Sequence, residues 1–545
     1  MPRRLQDHDL KQINDAYVIK LNFGALQHLS VKLLHDLKEA REQLNQNSGN
    51  SSKPPSSRAP WEELPEKNGG DGTPSDTNII PASPSDEDEN IKPDASEDAI
   101  EPEADGENKP NTPPVASTPP VVKRKQGKQP GAQGYGRTWN PPIDFVVHHQ
   151  ASHCAACGSS LGEEATHTAY TAYDSVDIQW GTPERPGIVV NTTRNTLYES
   201  ICPCGHSTHY TPHEAVVSPL YPNVKVSEWR LIGPNLAAVI VNLRLRHHLS
   251  VRGTQELLRE MVGIPLSTGA LQECYEEVAA SAAPLEEVLV NELLDEAAQP
   301  DAVLNADETG WKERGKTLWL WTFVTKTTAY FKMGRRTIDV LDSVIGMAFA
   351  SWLMSDGYAA YRHHPNRLRC WAHLIRKAVG LMQSLDKDGR TFGGHALTLL
   401  DALKAAVYGW REAGGEAGQK TDAIRKKYQE ALVEFRQHCL AYAASPHEKT
   451  AALAKEFIND WDAVFRVIDH PWLPLTNNDA ERALRHWVIL RKTNHGTKCP
   501  KGSLLAGILT TCRLRGQSGL SFLASVITAA RTGQPLPALP KKAGV

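Results

Sequence analysis

The stretch Asn305-Ala306-Asp307-Glu308-Thr309-Gly310-Trp311 lies between the apolar pair Val303-Leu304 and the run Leu318-Trp319-Leu320-Trp321-Thr322-Phe323-Val324. Apolar, β-branched and aromatic residues at this spacing read as strands. Val303 to Trp311, Leu318 to Thr325 and Ala329 to Met333 form a three-strand meander with turns at Gly315-Lys316 and Lys326-Thr327. Thr337 to Ile345 reads as a helix, and Trp352 to Ser355 as a further strand ending in Asp356-Gly357. A carboxylate such as Asp307, on a strand in an apolar setting, costs free energy unless something uses it. Plainer readings stand beside this one. Asp307 can cap a turn at Gly310, Glu308 can be the ligand in its place, and Asp356-Gly357 is a common strand-end turn pair.

Downstream, residues 371–470 read as almost purely helical, most clearly Lys455 to Ile468 with Phe457, Trp461, Val464, Phe465 and Ile468. Leu475-Thr476-Asn477-Asn478 then leads into a helix from Asp479 to Leu490, with Glu481 in its first turns and Asn478 placed to orient it. Glu481 and Arg485 are also spaced as an ordinary helix ion pair. No spacing rule brings Asp307, Asp356 and Glu481 together, but their chemistry gives them a common purpose. Phosphodiester cleavage needs an activated water or 3′-hydroxyl and a neutralised leaving alkoxide, and two hard divalent cations roughly 4 Å apart supply both. Mg²⁺ or Mn²⁺ takes oxygen ligands, so three carboxylates suffice. Arg482 and Arg485 would then meet phosphate or balance charge.

The chain has 545 residues, enough for roughly three or four folded units. Its net charge of −3 hides a strong asymmetry: eleven acidic residues in 86–107 against one Lys92, and eleven Lys/Arg with no Asp or Glu in 482–545. The basic end is what a phosphate-binding surface needs; a solvated basic face is the alternative. No apolar run approaches the ~20 residues of a membrane span. An odd cysteine count, nine, with no secretory signal points to a reducing cytoplasm, with thiols free or metal-bound.

Taken in order, residues 10–46 read as one leucine-rich helix. Phe23, Leu26, Leu33, Leu37, Ala40 and Leu44 stand on heptad a and d positions broken by Ser30, which fits a coiled coil or a helix packed on its own chain. Residues 47–138 read as a disordered linker, acidic and then basic from Lys123 to Arg137, since they bury too little apolar surface to offset chain entropy. In 139–215, Cys154-Ala155-Ala156-Cys157-Gly158 has the form of a zinc knuckle and Cys202-Pro203-Cys204 supplies the second pair. The single residue between that second pair is tight, so His206 is an alternative ligand to one of them; the module reads as a structural Zn²⁺ site, with four clustered reduced cysteines as the plainer reading. Strand-like runs, Gly187 to Val190 and Asn195 to Tyr198, lie between the pairs. Residues 228–298 read as a helix-turn-helix-like region: a helix from Gly233-Pro234-Asn235, a second capped by Ser250, a turn at Gly263-Ile264-Pro265 and a third capped by Ser267. Arg244, Arg246 and Arg252 are its candidate DNA contacts.

From Ile232 on, the blocks Gly233-Pro234-Asn235-Leu236, His247-His248-Leu249-Ser250-Val251, Ala306-Asp307-Glu308-Thr309, Ser355-Asp356-Gly357-Tyr358, Cys370-Trp371-Ala372-His373 and Asn477-Asn478-Asp479-Ala480-Glu481-Arg482-Ala483-Leu484-Arg485, then Arg491-Lys492, occur in this order. The chain resembles the insertion sequence 66 family of bacterial transposases. The N-terminal leucine-rich helix, Asn50 to Ser57, the basic segment and the cysteine module resemble it too. The resemblance implies a multidomain α+β protein. Its ribonuclease-H-like α/β core would run over 299–370, be interrupted by a helical insertion over 371–470 and finish in 471–545 with the basic C-terminal region. It implies an Asp-Asp-Glu triad at Asp307, Asp356 and Glu481, 3′-end cleavage at terminal inverted repeats and strand transfer into target DNA. Arg482, Arg485, Arg491 and Lys492 join the DNA contacts. Implied partners are double-stranded DNA, further copies of the chain and companion proteins of the same element, at the nucleoid of a bacterial cytoplasm. Two departures stand out: the tight second cysteine pair, and Thr493-Asn494-His495-Gly496 where a more aromatic segment is expected. Rival readings are a nuclease of the same core that joins nothing, and a zinc-containing DNA-binding protein with an inactive core.

Overall fold

The computed structural model describes residues 22–44, 139–213, 216–217, 224–494 and 502–542, apart from residues 164, 183, 314 and 315. The linker expected over 47–138 lies outside these residues, as do both ends of the 10–46 helix and His495-Gly496. All elements named below belong to the compact unit made of Met1–Glu62 and Pro141–Val545. Among the described residues no helix is long and apolar enough to cross a membrane. Helix α1 (Phe23–Leu44) carries its heptad residues Phe23, Leu26, Leu33 and Leu37 exposed.

Strands β1 (Phe145–His149), β2 (Thr166–Thr182), β3 (Arg185–Ile201) and β4 (Ser207–His209) form the first sheet. β2 and β3 pair antiparallel as one long hairpin from Thr166↔Ile201 to Thr182↔Arg185, while β1 lies parallel to β3. The two short strands read from the sequence are therefore parts of the single strand β3. A small pair, β5 (Val216–Val217) and β6 (Lys225–Val226), follows.

Next come α2 (Pro234–Leu245), α3 (Val251–Leu257) running into a π turn at Leu258–Val262, α4 (Thr268–Ala282) and α5 (Leu285–Ala297). Their starts follow the caps read from the sequence: Ser250 accepts from Gly253 N–H and Ser267 from Ala270 N–H. Gly263 ends the π turn with φ of 77°, a left-handed conformation that glycine adopts without cost. The start of α2 is capped from a distance, by Asp177 on β2, which accepts from Leu236 N–H at 2.7 Å and from Asn235 Nδ2 at 3.1 Å. A methyl group on Gly233 would stand 2.3 Å from Asp177 Cγ, so only glycine lets the hairpin and helix close this tightly.

The second sheet has strands β7 (Val303–Glu313), β8 (Lys316–Val324) and β9 (Ala329–Gly334), then helix α6 (Ile338–Ile345), then β10 (Trp352–Ser355) and β11 (Arg367–Arg369). Their spatial order is β11-β10-β7-β8-β9. The three-strand meander is antiparallel, and β10 and β11 extend it in parallel on the far side of β7. β11 was not legible in the sequence, because Arg367-Leu368-Arg369 does not look like a buried strand; its arginines are buried against acids instead. Trp311, Trp321, Phe323 and Phe331 fill the core around the meander, and each such side chain contributes roughly 2–3 kcal/mol by leaving water.

Helices α7 (Trp371–Met382), α8 (Lys387–Glu412), α9 (Ala423–Lys427), α10 (Gln429–Tyr442), α11 (Glu448–Asn459) and α12 (Trp461–Phe465) make the insertion, around a core containing Phe392, Phe435, Phe457 and Phe465. The helix read over Lys455 to Ile468 breaks at Asp460. That buried residue leaves helical geometry (φ −110°, ψ 18°), and its carboxylate meets Arg362 at 3.1 Å, Arg367 at 2.5 Å and Arg369 at 3.4 Å. The chain ends with α13 (Asn478–Asn494), α14 (Gly502–Leu514) and α15 (Gly519–Arg531). Arg531 on α15 pairs with the buried Glu277 on α4 at 3.0 and 3.1 Å and donates to Ile232 C=O at 2.8 Å. The C-terminal helix thus packs on α2 and α4, and α4 is largely buried from Leu271 to Ala282.

Candidate active site

Three backbone connections set the candidate carboxylates. Because β10 runs parallel to β7 with Met354 opposite Asn305, Asp356 follows β10 at the level of Asp307. Asn477, 1% exposed, donates its side-chain amide to Ala306 C=O at 2.8 Å, and its backbone N–H meets Cys370 Sγ at 3.3 Å. Cys370 N–H in turn donates to Ser355 C=O at 3.0 Å. The loop ahead of α13 is therefore tied to the residue before Asp307 and, through Cys370, to the residue before Asp356. Glu481 N–H donates to Asn477 C=O at 3.1 Å, which places Glu481 one turn beyond this anchor.

The carboxylates have unlike surroundings. Asp307 accepts a hydrogen bond from the Glu308 backbone N–H at 2.9 Å. Burial, then the charges of Asp356 and Glu308, and more weakly Glu481, hold its carboxyl well above the usual range. Glu308 is engaged elsewhere: Arg336 lies 2.7 Å from its Oε1 and the Tyr361 hydroxyl donates to its Oε2 at 2.6 Å. Burial and Asp356 push Glu308 up to about 7, against the pull of Tyr361 and Arg336. Asp356 accepts from Tyr358 N–H at 2.8 Å. Glu481 is held below the usual carboxylate range by His373, whose Nε2 lies 3.2 Å away, with Arg376 at 3.6 Å.

The ligand atoms of Cys370, His373 and Glu481 lie within 4.8 Å of one another, whereas those of Asp307, Asp356 and Glu481 do not all do so. Glu481 thus rests against His373 and does not close a three-carboxylate group with the aspartates. Beside Asp356 opens a cavity of about 440 Å³ whose lining includes Arg336, Arg362, Arg369, Lys377 and Lys455. A basic hollow next to a carboxylate pair suits a phosphodiester.

The four cysteines also come together. Their sulfurs lie within 4.8 Å of one another, with Cys154 3.7 Å from Cys204 and Cys157 3.6 Å from Cys202. Each pair sits on a tight turn: Gly158 N–H donates to Cys154 C=O and Gly205 N–H to Cys202 C=O, both glycines having positive φ. Cys157 is pulled down to about 6 by hydrogen bonding with Ser159. His206 is not part of this group.

The basic candidates divide. Arg252, Arg482, Arg485 and Lys492 are exposed. Arg244 is engaged within the helices, donating to Gln272 and lying 4.2 Å over the Tyr275 ring. Arg246 is half-buried. Arg491 donates to Gly310 C=O at 2.5 Å and to Thr309 Oγ1 at 3.2 Å, bracing α13 on β7. Sequence reasoning missed Asn477 as the anchor and favoured its exposed neighbour Asn478; the Asn-Asn pair does not say which residue turns inward.

Residues 230–503, just over half of the chain, match the profile of the family described as Transposase IS66 family. The chain belongs to this family. Membership implies a transposase, an enzyme of nuclease type that acts on DNA with divalent metal. The matched span of this IS66-family chain opens just before α2, contains Asp307, Asp356 and Glu481, and leaves the cysteine group outside. No curated protein matches the chain.

Proposed function

We propose that Asp307, Asp356 and Glu481 are the catalytic triad of a DNA transposase that cleaves the 3′ ends of an insertion sequence at its terminal inverted repeats and transfers them into target DNA. The observation that carries this reading is the state of Asp307: a desolvated carboxyl beside Asp356 and Glu308, with no basic side chain paired to it among the described residues. Clustered acids of this kind repel one another, and a divalent cation relieves the repulsion. The oxygen-only donor set fits Mg²⁺ or Mn²⁺. Such ions, when bound, activate the attacking oxygen and neutralise the leaving one. The protein's own part is positioning. Asn477 and Cys370 fix the two aspartates relative to α13, and Glu481 would leave His373 to join the pair. Arg336, Arg362, Lys377 and Lys455 line the adjoining cavity and would hold the phosphates that flank the reacting bond. Glu308 serves as a brace through Arg336 and Tyr361.

The five-strand order, a meander extended by two parallel strands with one carboxylate on β7 and the other just beyond the end of the adjacent β10, supports a ribonuclease-H-like core over 299–370 with its helical insertion over 371–470. Sulfur separations of 3.6 and 3.7 Å agree with the roughly 3.8 Å edge of a tetrahedron with Zn–S bonds near 2.3 Å. This supports a structural Zn²⁺ on Cys154, Cys157, Cys202 and Cys204 in the 139–215 module. In this reading Arg252, Arg482, Arg485 and Lys492 contact DNA, α1 pairs with other copies through its apolar stripe, and companion proteins of the element assist at the bacterial nucleoid.

The test is cleavage and joining of a labelled inverted-repeat end with and without Mg²⁺, comparing wild type with Asp307→Asn and Glu481→Gln. Metal-dependent joining, lost in both variants while DNA affinity is kept, is the expected result. Cleavage without joining would assign a nuclease. Binding without either would assign a DNA-binding protein with an inactive core, and joining retained in Glu481→Gln would remove Glu481 from the triad.

A further inference from the structure

We propose that Asp342, His363 and His364 form a separate binding site for a borderline transition-metal dication such as Zn²⁺. Asp342 lies on α6, and the two histidines lie in the segment between Asp356 and β11. The ligand atoms of the three residues fall within 4.8 Å of one another. Asp342 Oδ1 is 3.0 Å from His363 Nε2 and 3.9 Å from His364 Nε2. Zn–N and Zn–O bonds of about 2.0–2.1 Å give a tetrahedron with edges near 3.4 Å, so the two carboxylate–imidazole separations lie within about half an ångström of those of a shared ion.

An ordinary ion pair accounts for only part of this arrangement. A protonated His363 would satisfy Asp342 by itself. It would leave His364, whose side chain is 1% exposed. Both His364 ring nitrogens are shielded from water and, a misaligned approach to the Phe349 backbone aside, lack a hydrogen-bond partner. A buried imidazole without partners is costly. Its ring lies tilted by 42° against that of His363, with centroids 3.9 Å apart, and both rings present Nε2 to the same carboxylate oxygen. A cation at the common point gives each of the three groups a partner at once. Two imidazoles with one carboxylate suit Zn²⁺, Co²⁺ or Ni²⁺ and disfavour Mg²⁺. His363 and Asp342 are partly exposed, so solvent can supply the fourth ligand.

The position gives the ion a structural task. It would clip α6 to the chain that follows Asp356, in which Tyr361 reaches Glu308 and Tyr358 donates to Arg336 C=O. The site uses no residue of the proposed triad or of the cysteine group, so it stands or falls independently of the proposed function.

The experiment is a zinc count. Full-length protein is stripped with a chelator, reloaded with Zn²⁺ in the presence of excess Mg²⁺ to cover oxygen-only sites, dialysed and analysed for bound metal. Wild type is compared with His363→Ala, Asp342→Ala and, as the reference for the cysteines, Cys154→Ser. Circular dichroism confirms that each variant is folded. The expected result is about one equivalent less zinc in His363→Ala and in Asp342→Ala than in wild type, and with Co²⁺ a loss of visible absorption without loss of the thiolate charge-transfer band. Zinc content equal to wild type in either of these two variants overturns the proposal.

Discussion

Glu308 offers a direct measure of the electrostatic load in the carboxylate group. Its side chain is fully buried, and its pKa moves from 4.5 to about 7. A glutamine reproduces the shape of the protonated acid and does not titrate, so Glu308→Gln isolates the cost of ionisation. The sign follows from linkage. A carboxyl whose folded pKa lies above its unfolded pKa favours folding below the unfolded value, and that stability is lost as pH rises through the folded value. A displacement from 4.5 to about 7, at about 1.4 kcal/mol per unit, corresponds to about 3 kcal/mol. The variant should therefore exceed wild type by roughly 1 kcal/mol at pH 5 and by about 3 kcal/mol at pH 8. For a folded unit of this size, with about 2.1 cal/mol/K of unfolding entropy per residue, that is a difference in Tm of roughly 3–4 °C at the alkaline end. Thermal unfolding read by tryptophan fluorescence is suitable, since Trp311 and Trp321 are buried in the same sheet. Millimolar Mg²⁺ should narrow the gap, because Asp356 is the second cause of the shift. A gap that does not change with pH, or one in which wild type is the more stable at pH 8, would refute this account of the cluster.

Asn477→Ala removes the buried amide that holds Ala306 C=O and should cost about 1–3 kcal/mol; DNA joining should fall while DNA affinity is retained, and equal loss of both would make Asn477 a purely structural residue. Cys204→Ser should lower the zinc content of the cysteine group while His206→Ala leaves it unchanged, as metal analysis would show; the reverse pattern would move the ligand to His206. Arg485→Ala should weaken DNA binding and reduce the salt slope by about one, whereas Arg491→Ala, which loses the contacts to Gly310 and Thr309, should lower Tm instead; a titration of affinity against salt for both variants separates the two roles.

The parts of this fold that could be read from the sequence are those whose code is local. The β7–β8–β9 meander followed from periodic apolar residues, and Ser250 and Ser267 announced their helices because a cap acts within three residues of itself. What escaped is carried by distant partners. β11 is a strand of arginines because Asp460 and Glu456, some ninety residues on, neutralise them, and the same Asp460 interrupts a helix that periodicity alone would continue. The candidate site has the same character. Asp307 attracted notice as a charge in an apolar run, yet the anchors that relate it to Asp356 and Glu481 are Asn477 and Cys370, whose bonds span over a hundred residues. Nothing in a strand or helix pattern specifies such a bond, because its worth depends on burial that only the finished fold creates. The cysteines illustrate the limit from the other side: the tight spacing of Cys202 and Cys204 raised the question of a substitute ligand, and only the folded turn at Gly205 shows that both sulfurs can nevertheless face the first pair.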